Sequence, residues 1–497
     1  MTRSLGRLAE ESLARLGDHR SLVHEGRWHT ASALHDRAAR LSRGLGVPPG
    51  ARVVVCTTNS PDVLVAYGAL WRAGAVPVPV LPALTVTELR HVLVDSGAVV
   101  ALASPPSLAL VVQAAQALPV RVVVTGDVRL PGADASLAEL EAAPEGPVVD
   151  RDGDDLAALL YTGGTTGRAK GVMLTHAGLD LTAQARSQVF AASGARDLVL
   201  PLPLSHVFGL LNAVTRMHLP EPGFVALQSR FDAAGWVSLV QEHRPQAGAL
   251  VPSMLQLLLR QDLEAADLSS LRYVTTGGAP LPVAVREEFE RRVGGVRVCD
   301  GYGCTEVTST ATMNPYPAPR SGSVGLPLPG VELRVVDELD RPLPPGVDGE
   351  VCVRSPGVMK GYWRDEAATA AVVRDGWLHT GDVGHLDDDG YLYVVDRLKD
   401  LVIRGGFNVY PRDVEDVLLE HPAVASAAVV GRPDETYGEE VVAFVSLRAE
   451  VAPQELLDFA AARLAAHKRP RELHVVDAVP LTSVGKTDRK ALRRRLT

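Results

Sequence analysis

The chain has 497 residues, 46% hydrophobic and 22% charged, with a formal net charge of −9. That length predicts two or three domains rather than one core, and the composition is that of an ordinary globular protein. The negative balance removes the electrostatic case for nucleic-acid binding, which needs a basic face. Four cysteines stand singly at Cys56, Cys299, Cys304 and Cys352, without a metal-ligand spacing or a disulfide framework. They fit a reducing cytosol, so a cytoplasmic location is expected. A membrane span is not expected, since no run of about 18 apolar residues occurs.

The first twenty residues alternate charge with apolar residues at helical spacing, and they lack the apolar core of a signal peptide. Residues 50–130 then alternate strand-like runs (Val53–Cys56, Val99–Leu102, Val120–Val124) with helix-like ones (Asp62–Trp71, Val86–Asp95). This βαβ rhythm predicts a covered, mostly parallel sheet. Next comes YTGGTTGRAKG at 161–171, between the strand-like runs Leu156–Tyr161 and Val172–Leu174, with Thr175 as a helix N-cap. A glycine turn can aim backbone N–H groups at phosphate oxygens, Thr162, Thr165 and Thr166 can add hydroxyls, and Lys170 can neutralise charge. The loop lacks the Walker spacing, because Arg168 follows Gly167, and it joins two strands instead of opening a helix. Alone it also reads as a flexible linker with a solvated lysine; its three threonines and apolar flanks favour phosphate.

The rhythm returns over 197–298, with strands at Leu198–Leu200, Ala247–Val251 and Leu271–Thr275 and helices near Trp236–His243 and at Pro252–Leu259. From about 322 to 395, short β-rich runs such as Val331–Val336 and Glu350–Arg354 lie between Gly/Pro turns, predicting a small barrel or meander. After Asp396 a compact α+β module of about one hundred residues is expected. Its elements are helix Arg412–Glu420, strands Ala427–Val430 and Val441–Leu447, helix Pro453–His467 and strand Leu473–Val476. The basic residues from Lys486 to Arg495 read as one face of a terminal helix, and no carrier-protein domain is expected after it.

Six segments follow one another along the chain: the loop at 161–171, GYGCTE at 301–306, GEVCVRSPGVMKGYW at 349–363, WLHTGD at 377–382, DRLKDLVIRGGFNVYP at 396–411 and PLTSVGKTDRKAL at 480–492. Together they resemble the signature motifs of the adenylate-forming superfamily, in its acyl- and aryl-CoA synthetase branch. The resemblance implies an α/β fold: a large N-terminal domain of covered, mostly parallel sheets (1–396, with the β-rich part at 322–395), a hinge at 397–400, and a small mobile C-terminal domain at 401–497. It also implies an ATP-dependent carboxylic acid–CoA ligase that forms an acyl-AMP and then an acyl-CoA, with ATP, Mg²⁺ and coenzyme A as cofactors.

The resemblance assigns roles residue by residue. Thr162, Gly163, Gly164, Thr165, Thr166, Gly167 and Lys170 would cradle the ATP phosphates. Gly277, Gly278 and Ala279 would line the nucleotide and acyl sites, and Tyr302 beside Gly303 would stack on adenine, its flanking glycines allowing close approach. Thr305 would reach the α-phosphate, and Glu306, a hard oxygen donor, would hold the metal. Asp382 would accept from both ribose hydroxyls, and Arg397 would hold ribose or phosphate from the hinge, which turns at Lys399. Lys486 would bridge the attacking carboxylate and the α-phosphate. Gly405 and Gly406 would wall the thiol tunnel, with Tyr437 and Arg469 on the CoA nucleotide. His206, Phe208, Asn212 and Thr308 would shape the acyl pocket. Read singly, several of these have plainer roles: Glu306 as a helix-start acid, Tyr302 and His206 as core, Asp382, Arg397, Tyr437, Arg469 and Lys486 as surface.

Three positions depart from the family pattern: Gly163 for serine, Ala169 for proline and Ser355 for glycine. None removes a charge. Two other functions stay open: passage of the acyl-adenylate to a carrier-protein thiol, an amine or another nucleophile, and a silent nucleotide-binding protein. No residue declares itself as a selector for a charged substrate; aryl, cinnamoyl-like, fatty and polycyclic acids all fit. A homodimer also stays open.

Overall fold

The structure, a computed structural model, describes residues 4–162, 168–481 and 487–496. Contacts divide the chain into two compact units: Met1–Glu332 with Val353–Leu378, and Leu333–Cys352 with His379–Thr497. This division differs from the expected boundary after 396, because 333–352 and 379–396 cluster with the C-terminal residues.

The first unit holds a nine-stranded sheet. Its central strands run parallel, in the order Arg297–Tyr302, Tyr273–Thr276, Ala247–Leu250, Leu198–Leu200, Val225–Leu227, Arg20–His24. Strands buried on both faces read as continuous apolar runs, and Val199, Ala249, Leu250, Val274 and Val298 are fully buried. One face packs on Trp236, Val240, Leu255, Leu258 and Phe289, so the leucine-rich stretch at 255–259 is core in part. A second, all-parallel sheet runs Val76–Val80, Arg52–Cys56, Val100–Ala103, Arg121–Val124, Ala135–Ser136. Its first strand reads VPVPV. Proline cannot donate to a ladder, and this strand is an edge of the sheet. Helices Pro61–Arg72 and Val86–Ser96 fill the crossovers, the second opened by a capping box between Thr85 and Glu88.

A third sheet pairs Leu156–Thr162 antiparallel with Lys170–Thr175, and the latter with Gly361–Tyr362. Thr175 caps helix His176–Phe190 by accepting from the N–H of Gly178 at 3.0 Å, as its hydroxyl predicts.

Strands Trp377–Leu386 and Leu392–Arg397 form an antiparallel hairpin that sets Asp382 opposite Arg397, both in the second unit. The C-terminal sheet has the order Phe407–Val409, Val402–Arg404, Gly438–Leu447, Val424–Asp434, with Glu472–Val475 parallel to Gly438–Leu447. Two expectations change here. The strand at 427–430 extends over Val424–Asp434, because its charged end pairs across the hairpin (Arg432 opposite Glu440). The helix from Pro453 ends at Ala461, and tight turns follow (Arg463 N–H to Ala460 O, 3.1 Å; Lys468 N–H to Ala465 O, 2.9 Å) ahead of Pro470.

Candidate active site

The parallel strands of the large sheet deliver candidate residues to one edge. Gly277–Ala279 follow strand Tyr273–Thr276, Gly303–Glu306 follow strand Arg297–Tyr302, and His206 follows strand Leu198–Leu200. All leave carboxyl ends of parallel strands, where ligands bind open α/β sheets. The glycines are dictated by the chain itself. A Cβ on Gly277 would lie 2.9 Å from the Gly301 carbonyl oxygen, one on Gly301 2.7 Å from Met313 Cε, and one on Gly303 2.0 Å from the Ser309 carbonyl oxygen. Gly278 has φ +82°. The bare flanks of Tyr302 thus let neighbouring segments close in; the expected reason, access of a planar ring, is not needed to explain them.

Thr305–Val307 make a single 3-10 turn. The Glu306 carbonyl accepts from Met359 N–H at 2.8 Å, and Glu306 Oε1 accepts from the Tyr362 hydroxyl at 3.0 Å. Burial, reinforced by the Glu306 carboxylate, pushes the Tyr362 phenol above its ordinary value, so it stays a donor. Lys170 opens the strand that pairs with Thr162. Its Nζ lies 5.2 Å from the centre of the same Tyr362 ring and 3.4 Å from Asp365 Oδ2. The structure therefore brings the lysine of one motif and the acid of another to two sides of Tyr362. Sequence reading quoted Tyr362 inside a motif but gave neither it nor Asp365 a part; an aromatic hydroxyl beside glycine in GYW was the available signal. Gly163, Gly164, Thr165, Thr166, Gly167 and Lys486 lie outside the described residues.

Tyr362→Phe is expected to lower kcat/KM for ATP–pyrophosphate exchange roughly tenfold and raise the Mg²⁺ requirement, as a hydrogen bond to a charged acceptor is worth about 1.5–3 kcal/mol. Unchanged Mg²⁺ titration curves would show that this bond does not set the Glu306 carboxylate.

His206 is the N-cap of helix Val207–Arg216, its Nδ1 accepting from Phe208 N–H at 3.3 Å. It is a capping residue here, not a strand-end core residue. Between the sheet and helices His176–Phe190 and Val207–Arg216 lies a cavity of about 390 Å³. Asn212 lines it and donates back to the Phe208 carbonyl at 2.8 Å. Phe190 and Tyr273 stack on its wall with ring centres 4.4 Å apart. Thr308 is elsewhere: it is buried at φ +56°, and its hydroxyl donates to the Gly357 carbonyl at 2.6 Å.

In the second unit, Arg397 Nε lies 3.0 Å from Asp382 Oδ1. Lys399 sits in a 3-10 turn, where burial and then Arg397 lower its ammonium from the usual range. Asp400 is held by Arg493 at 3.4 Å. Gly405 and Gly406 form the turn of a hairpin at φ +59° and +82°. Tyr437 N–H is fixed by Asp434 Oδ1 at 2.9 Å, its carbonyl accepts from Gly405 N–H at 2.8 Å, and Arg404 lies over its ring at 4.9 Å. Arg469 is exposed and donates to the Leu464 carbonyl at 3.0 Å.

Glycine turns, hydroxyls, an acid and a lysine around the carboxyl edge of a parallel sheet make an arrangement of nucleotide-binding α/β enzymes. Comparison with known proteins narrows the class. The AMP-binding enzyme family matches residues 9–363, and the AMP-binding enzyme C-terminal domain matches 413–486. A feruloyl-CoA synthase from Amycolatopsis is 38% identical, covering 97% of each chain. A long-chain-fatty-acid–CoA ligase from Escherichia coli is 34% identical over 99% of this chain and 94% of its own. The solved ATP-bound RpMatB-BxBclM chimera B3 superposes with a TM-score of 0.90 at 32% identity, covering 100% of this chain and 99% of its own. The chain belongs to the AMP-binding enzyme family, in the acyl-CoA synthetase branch of the adenylate-forming superfamily, the AMP-forming acid–thiol ligases. No described helix is long and apolar enough to cross a membrane.

Proposed function

We propose that this protein joins an aromatic carboxylic acid to coenzyme A in two steps. In the first, a carboxylate oxygen attacks the α-phosphorus of ATP, the bond to the β-phosphate oxygen breaks, and pyrophosphate leaves with the electron pair. In the second, the CoA sulfur attacks the acyl carbon, the acyl–phosphate oxygen bond breaks, AMP leaves, and the thiol proton passes to solvent. The observation that carries the first step is the Lys170–Tyr362–Glu306 cluster. Two anions must meet at a crowded phosphorus, and the cluster offers a cation, a hydroxyl donor and a carboxylate in one place.

The Glu306 carboxylate is a hard oxygen donor that would hold Mg²⁺, which would supply charge neutralisation on the phosphate oxygens when bound, and the Thr305 hydroxyl reaches the α-phosphate. Lys170 and the loop at 162–167 hold the phosphates, Gly277–Ala279 and Tyr302 border the adenine, and Asp382 with Arg397 takes the ribose. Lys486 serves the adenylation step only. Rotation at Lys399 then exchanges Lys486 for the thiol passage at Gly405 and Gly406, with Tyr437 and Arg469 on the CoA nucleotide. The stacked Phe190–Tyr273 pair in the cavity and the 38% identity to a feruloyl-CoA synthase support an aromatic acid. ATP–pyrophosphate exchange across a panel of acids, with and without CoA, tests the reading; exchange with aliphatic acids alone would remove the aromatic assignment.

The tunnel glycines need a test that separates space from backbone strain. A Cβ on Gly406 meets nothing within 4 Å, but φ +82° disfavours most side chains. Asparagine tolerates this region. Gly406→Asn is therefore expected to keep the melting temperature within a few degrees and the exchange rate near wild type, while slowing acyl-CoA formation about tenfold or more. Gly406→Leu should lower both the melting temperature and acyl-CoA formation. Wild-type thiolysis in a well-folded Gly406→Asn variant sinks the tunnel role.

A further inference from the structure

The cavity between the large sheet and the two helices contains a charge that the fold leaves unanswered. Its charged lining residues are Arg186, Arg196, Asp197, Arg216 and Glu221. Arg196 is ion-paired with Glu221, and the half-buried Arg216 lies in the field of Asp197. That leaves Arg186. It is 3% exposed, its Nη1 has no hydrogen-bond partner, and no carboxylate lies within ion-pairing distance of it among the described residues. Its remaining contacts are weak: Nη2 lies 3.4 Å from the Thr275 hydroxyl, and the guanidinium lies 5.2 Å from the centre of the Phe208 ring. Burial brings its pKa down to about 10, so the group is still cationic at neutral pH.

A buried cation without a counterion is costly, and replacing such a group by an apolar one of similar volume is often neutral or stabilising. Folding alone therefore does not account for an arginine here. Its place does. Thr275 is three residues before Gly278, on the strand that ends at Thr276 and runs into the glycine turn, and three residues of chain span at most about 10 Å. Phe208 stands two residues after the capping His206, and Asn212, one helical turn beyond it, lines the cavity. Arg186 thus lies beside the strand that leads into the glycine turn, within reach of the distal end of an acid whose reacting carboxylate sits at that turn.

We propose that Arg186 is a specificity-determining residue that holds a second, anionic oxygen group of the substrate, at the opposite end of the acid from the carboxylate that is adenylated. The substrate class is then a rigid aromatic acid with a distal carboxylate, whose ring lies along the Phe190–Tyr273 stack. This inference rests on the acid–CoA ligase reading. Guanidinium and carboxylate match in a two-pronged, charge-assisted contact, and the substrate supplies the counterion that the protein omits.

The test is ATP–pyrophosphate exchange with cinnamic, 4-hydroxycinnamic and 4-carboxycinnamic acids. Wild type is expected to use the 4-carboxy acid with a kcat/KM about tenfold or more above the other two. In Arg186→Met the 4-carboxy to unsubstituted ratio should fall to about one or below, with a melting temperature no lower than wild type. Arg186→Lys should keep part of the preference. Equal use of the three acids by wild type, or retention of the ratio in Arg186→Met, overturns the proposal. A wild-type preference for 4-hydroxycinnamic acid also overturns it, showing that Arg186 serves a neutral acceptor. If Arg186→Met does not fold, the wild-type ratios alone decide. Exchange with cinnamic acid but not the 4-carboxy acid leaves the ligase reading standing; exchange with no acid of a broader panel removes both.

Discussion

Lys486→Ala is expected to reduce ATP–pyrophosphate exchange by about two to three orders of magnitude, the usual loss when a charged group that stabilises a transition state is removed. Thiolysis of supplied acyl-AMP should persist at close to the wild-type rate. The reason is electrostatic. The attacking carboxylate and the α-phosphate are both anions, and an ammonium between them gains most as the new bond forms, so its loss falls on the rate of that step more than on binding. The flanking residues Leu481 and Thr487 pair as a β-bridge, and Asp488 caps the next helix by accepting from Ala491 N–H at 2.9 Å; an alanine between these fixed points should leave the melting temperature unchanged. Stopped-flow or radiometric assay of the two half-reactions on one preparation is the check. Equal loss of both would return Lys486 to the basic tail.

Glu306→Gln is the second large effect. The amide keeps an oxygen that can accept from Tyr362 at the 3.0 Å now spanned by the carboxylate, so the local structure should survive. The charge that binds a hard cation is lost, and with it the neutralisation of the phosphates. Exchange is expected to fall about a hundredfold at low millimolar Mg²⁺, with partial recovery as Mg²⁺ is raised, since metal stabilisation of transition-state charge is worth several kcal/mol. Paired with Tyr362→Phe in a double-mutant cycle, the two changes should be less than additive, because they touch one hydrogen bond. Full additivity, or wild-type Mg²⁺ dependence in Glu306→Gln, would falsify the ligand role.

Much of this was legible in the sequence because the signals are local. Buried parallel strands announce themselves as short apolar runs, and those at 53–56, 198–200 and 247–251 lie within a residue or so of the observed strands. The N-cap at Thr175 and the short strands of the β-rich stretch expected at 322–395 also follow from side-chain chemistry and Gly/Pro spacing. The order of the motifs identified the superfamily, and the relatives at 38% and 34% identity agree. Other features have no local signal. The hairpin at 424–447 hides its length behind Arg432 and Asp434, whose polarity looks like loop until the partner strand is known. The glycines around Tyr302 leave room for the Met313 side chain and the Ser309 carbonyl, neighbours known only once the chain is folded.

What the sequence determined by itself was the class of chemistry, since phosphate-handling loops and their acids and lysines are set by residue type and spacing. What only the tertiary structure decided was which of those groups meet. Tyr362 joins Lys170 and Glu306 across three separate segments, Thr308 turns away into a buried hydrogen bond with Gly357, and Arg186, one more polar residue on a helix, comes to lie unpaired against a sheet face. Burial and the absence of a counterion are properties of the space around a side chain, and that space is made by strands and helices distant in the chain.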